Sequence, residues 1–177
     1  MNEITLNSKN IILVPYDEKY FEQIFEWFAE NQIKDLYFEA PINYNKMKFY
    51  EGFNKRIEEI YHTFLLVIDV NSSRPIGLIY SYNYEQESGI IYMNVFLQEK
   101  DYNENFEYSS IKLFCNYLFT YYPIRKIYFS TNDNEKVRTL SKIGFIIVGK
   151  LKEHTFNKGK YVDVFFLELN REGFYKE

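Results

Sequence analysis

The chain has few of the residues that most often announce a chemistry: one cysteine and two histidines among 177 residues. Cys115 has no second thiol for an internal disulfide, which fits a reducing compartment. Its place on the apolar side of an expected helix makes it a small core residue rather than a nucleophile. His62 and His154 are far apart in the chain, so they form no ligand cluster with Cys115, and no metal site is expected. Lys and Arg total 21 against 25 Asp and Glu, a net charge of −4, with no basic run long enough to form a stripe. Binding to nucleic acid is therefore not expected. No apolar run approaches the roughly 18 residues of a membrane span. The start "MNEITLNSKN" lacks the basic-then-apolar pattern of a signal peptide, so a cytoplasmic protein without membrane contact is expected. The glycine patterns G-x-G-x-x-G and the P-loop are missing as well.

What remains is an ordinary globular composition, 46% apolar and 26% charged, in a length suited to one domain over residues 1–177. Aromatics reach 20%, with 18 Tyr and 17 Phe. Two readings fit that excess, a compositional bias and an aromatic-lined ligand site.

Hydrophobic periodicity divides the chain into elements. "NIILVPY" (Asn10 to Tyr16) is a short apolar run ended near proline, a first strand. Asp17 then caps a helix carrying Phe21, Ile24, Phe25 and Phe28 on one stripe, and a second amphipathic helix runs from about Asn45 to Ile60. From His62 the period shortens to two: "HTFLLVIDV", "PIGLIYSYNY" and "GIIYMNVFLQ" read as a meander of three antiparallel strands. Ser109 to Tyr121 returns to helical spacing until Pro123. "IRKIYFST" is a strand, and "DNEKVRTLSKIGF" a helix capped by Asp133 and closed at Gly144. A hairpin, "FIIVGKLKEHTF" and "YVDVFFLEL" joined by "NKGK", ends the pattern. The order β-α-α-β-β-β-α-β-α-β-β implies an α+β fold, an α/β/α sandwich with about seven strands in one mixed, mostly antiparallel sheet and helices on both faces. Strand, helix and strand between residues 90 and 131 require one parallel pair with a right-handed crossover. Where such a pair parts, a ligand can enter.

The segment from Asn94 to Leu169 resembles the GNAT N-acetyltransferases, in particular the branch that acts on ribosomal-protein N-termini, polyamines and amino sugars. The local matches are "LSKIGF" (Leu140 to Phe145) at a helix end and "VGKLKEHTFNKGKYVD" (Val148 to Asp163) as a closing hairpin. The resemblance implies acetyl-CoA as acyl donor, no metal, and an acceptor that is a small-molecule or peptide amine, acetylated by direct attack in a ternary complex; a homodimer is compatible with it. In the family a loop Gln/Arg-x-x-Gly-x-Gly/Ala and the helix start behind it hold a pyrophosphate on backbone amides, since unpaired N–H groups and the positive helix end favour an anion. That pattern falls here on Tyr102, Asn103, Glu104, Asn105, Phe106 and Glu107, with Tyr108 next, and it contains no glycine. Asparagine enters the left-handed region more readily than other non-glycine residues, so Asn103 and Asn105 are expected to keep the loop's shape. Glu107 and Glu104 are expected either to repel a phosphate or to point into water. Asn134 matches, with a one-residue shift, an Asn that touches the pantetheine arm, and a strand amide near Phe96 or Leu97 would polarise the thioester carbonyl.

For the chemistry, the resemblance puts Tyr92 where the central strand often carries a Glu. Phenols, with ordinary pKa values near 10, are reluctant bases at neutral pH, so Tyr92 is read as base or as wall of the acceptor pocket. The helix position often held by a tyrosine acid is Leu140, which leaves Ser141 as the nearest hydroxyl. Tyr37, Glu39, Tyr82, His154 and Asp163 are the candidate acceptor contacts. His154 reads equally as a solvent-facing strand residue, and His62 as structural. Two further readings stay open, a catalytically impaired GNAT-fold protein that binds a ligand or partner, and an acyltransferase with another acyl donor.

Overall fold

A computed structural model describes residues 5–30, 45–98, 103–157 and 159–176. Eight strands form one sheet in the order β1-β2-β3-β4-β5-β6-β8-β7: β1 (Leu6–Asn7), β2 (Ile11–Pro15), β3 (Tyr61–Asp69), β4 (Arg74–Glu85), β5 (Ile90–Leu97), β6 (Lys126–Thr131), β7 (Ile146–Asn157) and β8 (Lys160–Asn170). The strand beyond the expected seven is the two-residue β1, too short to carry an alternation and held by pairing with Leu13 and Ile12. Every pairing is antiparallel except β5 with β6.

One face is covered by α1 (Phe21–Ala29) and α2 (Lys46–Glu59). Asp17 caps a 3-10 turn at Glu18–Tyr20 that leads into α1, and Asn45 caps α2, its Oδ1 accepting from Lys48 N at 2.9 Å. The α1 stripe buries Phe21, Ile24, Trp27 and Phe28; Phe25, expected in that stripe, is only partly buried and lies 5.4 Å from the Phe49 ring. Phe49 and Phe53 of α2 are fully buried against β3 and β4. Each such phenylalanine contributes about 1.5–3 kcal/mol by leaving water.

The opposite face carries α3 (Glu104–Tyr121) and α4 (Asn134–Ile143). Ile111, Phe114, Cys115, Leu118, Leu140 and Ile143 pack there on Leu65, Ile79, Met93 and Ile127. Cys115 is wholly buried, and burial pushes its thiol far above the ordinary value, as a core residue requires. Gly144 closes α4 at φ 106°, a left-handed cap that glycine adopts without strain. Two further details differ from the sequence reading. α3 begins at Glu104 instead of Ser109, because Asn103 caps it and its acidic first turn favours the helix start. After β8 a short helix, α5 (Arg171–Phe174), is capped by Asn170, and Arg171 donates to Ile124 O and Tyr122 O, tying the chain end to the turn before β6.

The parallel pair sets the functional geometry. β5 and β6 are in register only at Ile90, Ile91 and Tyr92 against Lys126, Ile127 and Tyr128. Beyond this point β5 stays with β4 to Gly77↔Leu97, while β6 stays with β8 to Thr131↔Phe165. The sheet therefore splits, with Tyr92 and Tyr128 at the vertex. On the β4 side the join is tight, since a Cβ on Gly77 would lie 2.1 Å from Phe96 O.

Candidate active site

The cleft has two walls of main chain. Along a strand, successive residues turn their N–H and C=O to opposite edges. Gln98 N donates to Ile76 O across the β4–β5 join, so even-numbered residues near it face β4, and Val95 and Leu97 face the opening. Phe96 was an expected amide donor, but its main chain is paired with Leu78 and its ring lies 5.5 Å from Trp27 on the α1 side. Leu97 has the required edge. At Val95 both groups are engaged: N–H donates to Asn94 Oδ1 at 2.8 Å and C=O accepts from Lys136 Nζ at 3.0 Å.

The first turn of α3 is tied to this open edge through Lys136, which reaches both Val95 O and Glu107 Oε1. Asn103 is extended (φ −145°, ψ 124°) and Asn105 is helical, so neither takes the left-handed form expected of them. The cap explains why no glycine is needed. Asn103 Oδ1 accepts from Asn105 N at 2.8 Å, and Asn103 O accepts from Phe106 N at 2.9 Å and Glu107 N at 3.1 Å. The donors of Asn105, Phe106 and Glu107 are thus engaged within the turn, and among the described residues Glu104 N is the one left at the positive helix end. Phe106 and Tyr108 pack partly buried against the α3 core, with Tyr108 OH accepting from Lys112 Nζ at 3.2 Å. Tyr102 lies outside the described residues.

The two acids part ways. Glu104 is exposed and pairs with Lys142 of α4. Glu107, expected either to repel a phosphate or to point into water, does not point into water: its side chain is 1% exposed and its Oε1 lies 3.3 Å from Lys136 Nζ, whose own side chain is 17% exposed. Lys136 thus joins α4, α3 and the open edge of β5 at one ammonium.

On α4, Asp133 is the cap, its Oδ1 accepting from Glu135 N at 2.8 Å, and Asn134 is the first helical residue, exposed. Leu140 is fully buried. Ser141, expected as the nearest acid, is exposed and its hydroxyl donates to Val137 O at 2.8 Å, one turn back on its own helix, so its proton is committed there.

On the α1/α2 face the vertex continues as a row. Pairing aligns Tyr61, Tyr82, Tyr92, Tyr128 and Glu168 across β3, β4, β5, β6 and β8. Ring centroids lie 5.8 Å apart for Tyr82 and Tyr92, and 5.4 Å for Tyr92 and Tyr128. Tyr128 OH and Lys126 Nζ both donate to Glu168 Oε2 at 2.9 Å. Burial works to raise the Glu168 pKa, but these two hydrogen bonds outweigh it and hold the carboxyl below its usual range. Burial, and the bond to Glu168, raise the Tyr128 phenol. His154 is exposed on β7. Asp163, expected near an acceptor, is engaged inside the hairpin: Oδ2 pairs with Lys150 at 2.7 Å and Oδ1 accepts from Glu153 N at 2.9 Å, where Glu153 (φ 48°) bulges. Tyr37 and Glu39 lie outside the described residues.

Lys126, Tyr128, Lys136 and Glu168 were not among the candidates from sequence. Two signals were present, since Lys126 and Tyr128 alternate with Ile127 and Phe129, and Glu168 with Leu167 and Leu169, placing polar groups on a common face. Nothing local marks Lys136.

No protein-family model matches the sequence, and no curated protein matches it. Solved structures do. A spermidine N-acetyltransferase from Vibrio cholerae, in complex with CoA and spermine, superposes with a TM-score of 0.83 at 20% identity, covering 94% of this chain and 99% of that one. A GNAT-family acetyltransferase from Bacillus anthracis gives 0.77 at 15% identity, covering 96% and 99%. A GCN5-related N-acetyltransferase from Brucella melitensis gives 0.74 at 18% identity, covering 98% and 81%.

Proposed function

We propose that this chain, which has the GNAT fold, is an N-acetyltransferase that moves an acetyl group from acetyl-CoA to a primary amine, of a small molecule or a peptide N-terminus, by direct attack in a ternary complex. The observation that carries the reading is the split of the parallel pair beyond Tyr92 and Tyr128, with the first turn of α3 tied through Lys136 to the open strand edge inside. The residues present fit the donor in one respect that the sequence left open: Glu107 is turned inward and neutralised by Lys136, so its charge does not oppose a diphosphate at the helix start. Glu104 N at that start and the Leu97 edge of β5 would hold acetyl-CoA, whose thioester would supply an activated acyl carbon.

The chain's own groups then act by placement. Tyr92 and Tyr128 line the vertex and orient an amine, and Leu97 N–H is the donor facing the cleft. Holding two reactants in line is worth about 7–11 kcal/mol of barrier, enough to dominate the rate without a dedicated acid. With Leu140 in the core and the Ser141 proton committed to Val137 O, the proton balance falls to solvent.

A second reading, a GNAT-fold binding protein without transfer, is favoured by two features: Lys136 occupies the Val95 carbonyl inside the cleft, and Asn103 engages the first-turn amides. Thermal unfolding with acetyl-CoA separates the two. Cofactor at about 100 times its dissociation constant adds about 2.7 kcal/mol. An unmoved midpoint at millimolar acetyl-CoA supports the second reading and defeats the first.

A further inference from the structure

The tyrosine row ends in a carboxylate that is only half used. Glu168 Oε2 receives both Tyr128 OH and Lys126 Nζ, whereas Oε1 has no hydrogen-bond partner among the described residues. The side chain as a whole is 12% exposed, so the carboxylate is largely withdrawn from water and keeps one accessible side. A carboxylate offers about four lone-pair sites, and one that is largely buried favours further donors.

The surroundings define what that donor is. Tyr61 and Tyr82 are covered, each 8% exposed, beneath the α1/α2 layer, while Tyr92 and Tyr128 are only partly buried. The row thus passes from a packed wall to an open floor at the vertex of the cleft. The Tyr92 and Tyr128 rings lie side by side, centroids 5.4 Å apart and tilted by 32°, an aromatic floor over which an apolar stem can lie, and aromatic faces attract a cation. A neutral or anionic ligand gains little from such a floor. Among the described residues, the charged groups that bear on Glu168 are Lys126 and the exposed Arg125, whose Nε is held by Ser88 O. Lys126, one third exposed, is the resident competitor for the same carboxylate.

Resting on the acetyl-acceptor reading above, we propose that Glu168 is the ammonium-binding end of the acceptor site, and that the Tyr92–Tyr128 pair holds the apolar stem of the amine. The acceptor class is thereby a primary alkylammonium with at least a short methylene stem. Lys126 then has the opposite role to Glu168, since it screens the carboxylate that the ligand seeks.

The test is an NMR titration of the full chain with butylammonium, and with butanol as uncharged control, with and without CoA and without acetyl donor. Butylammonium is expected to saturate and butanol not to. Glu168→Gln should weaken binding roughly tenfold or more, Tyr128→Phe should weaken it less, and Lys126→Met should tighten it about threefold. The opposite signs for the two members of one ion pair are what a purely structural bridge does not give. The thermal midpoint of each variant checks that it is folded, and Tyr128→Phe serves if Glu168→Gln is not. The proposal is overturned if butylammonium fails to bind the wild type, if butanol binds as well, if Glu168→Gln binds within about twofold of the wild type, or if Lys126→Met loses affinity alongside it. Failure of the two readings is distinguishable: butylammonium binding without acetyl transfer defeats the enzyme and leaves this site, whereas transfer with an unchanged KM for butylamine in Glu168→Gln defeats this site and leaves the enzyme.

Discussion

Replacing Glu107 by alanine removes one member of a buried ion pair, and the size of the loss can be worked out in advance. At 3.3 Å between Oε1 and Lys136 Nζ, the attraction is about 5 kcal/mol at an effective dielectric near 20. Desolvation of both ions offsets much of that, so the pair as a unit adds little net stability. Breaking it is different, because Lys136, 17% exposed, keeps only Val95 O as partner among the described residues. Removing one partner of such a pair costs about 3–5 kcal/mol; the residual exposure of Lys136 puts the expectation at about 3 kcal/mol. For a chain of this size each kcal/mol moves the thermal midpoint by about 2–4 °C, so Glu107→Ala is expected to melt about 6–12 °C lower. Glu104→Ala is the internal control, three residues away on the same helix. Its pair with Lys142 is exposed, both side chains above half accessible, so its loss is expected to be under about 1 kcal/mol and to shrink further in salt. Differential scanning calorimetry of the wild type, both single variants and the pair Glu107→Leu with Lys136→Met completes the cycle, the double variant recovering most of the single loss. Equal midpoints for Glu107→Ala and Glu104→Ala would refute the inward placement of Glu107, and with it the argument that no charge opposes a donor there.

Asn103→Ala removes the side-chain cap of α3 and is expected to cost about 1 kcal/mol in urea unfolding, with Asn103→Gly costing only a few tenths. Gly77→Ala forces a Cβ to 2.1 Å from Phe96 O, backbone that cannot yield without opening the β4–β5 join; a loss of at least about 3 kcal/mol, or failure to fold, is expected from expression and melting. Lys150 and the Glu153 amide lower the Asp163 pKa, the Ser72 hydroxyl together with the Asn71 and Ser72 amides lowers that of Asp69, and Glu168 is held low as described above. A carboxylate with a depressed folded-state pKa binds fewer protons folded than unfolded, so it stabilises above its unfolded value and loses this as pH falls through the folded one. The carboxylates alone therefore leave the urea midpoint flat down to about pH 5 and make it fall below about pH 4. Burial lowers the His62 pKa as well, but its loss begins earlier, as pH falls through the ordinary imidazole value near 6.5, and adds a shallow decline across about pH 5 to 6.

Much of the architecture was legible because apolar spacing repeats over many residues. The runs around Phe64, Ile79 and Met93 gave three strands, the Phe21 to Phe28 stripe a helix, and Asp133 with Gly144 bounded α4 to the residue. Start signals that rest on one side chain were weaker evidence: Asn103 was read as loop, and α3 was begun five residues late. The site was harder still, for a physical reason. Glu107 and Lys136 lie 29 positions apart on different helices, and only the closing of two helices over one strand edge brings them together. Glu168 and Tyr128 are joined by sheet order, with β8 inserted between β6 and β7, which alternation alone does not fix. Candidates taken from the family pattern fared unevenly, because Asp163 and Ser141 carry the right chemistry and spend it on Glu153 N and Val137 O.

The most direct measurement of the central claim is mass spectrometry of an alkylamine panel after incubation with acetyl-CoA, with free thiol counted in parallel. The account expects N-acetylated product and thiol in equal amounts, in proportion to enzyme. No product from any amine, together with a thermal midpoint indifferent to acetyl-CoA, would contradict it and leave a GNAT-fold binding protein without transfer.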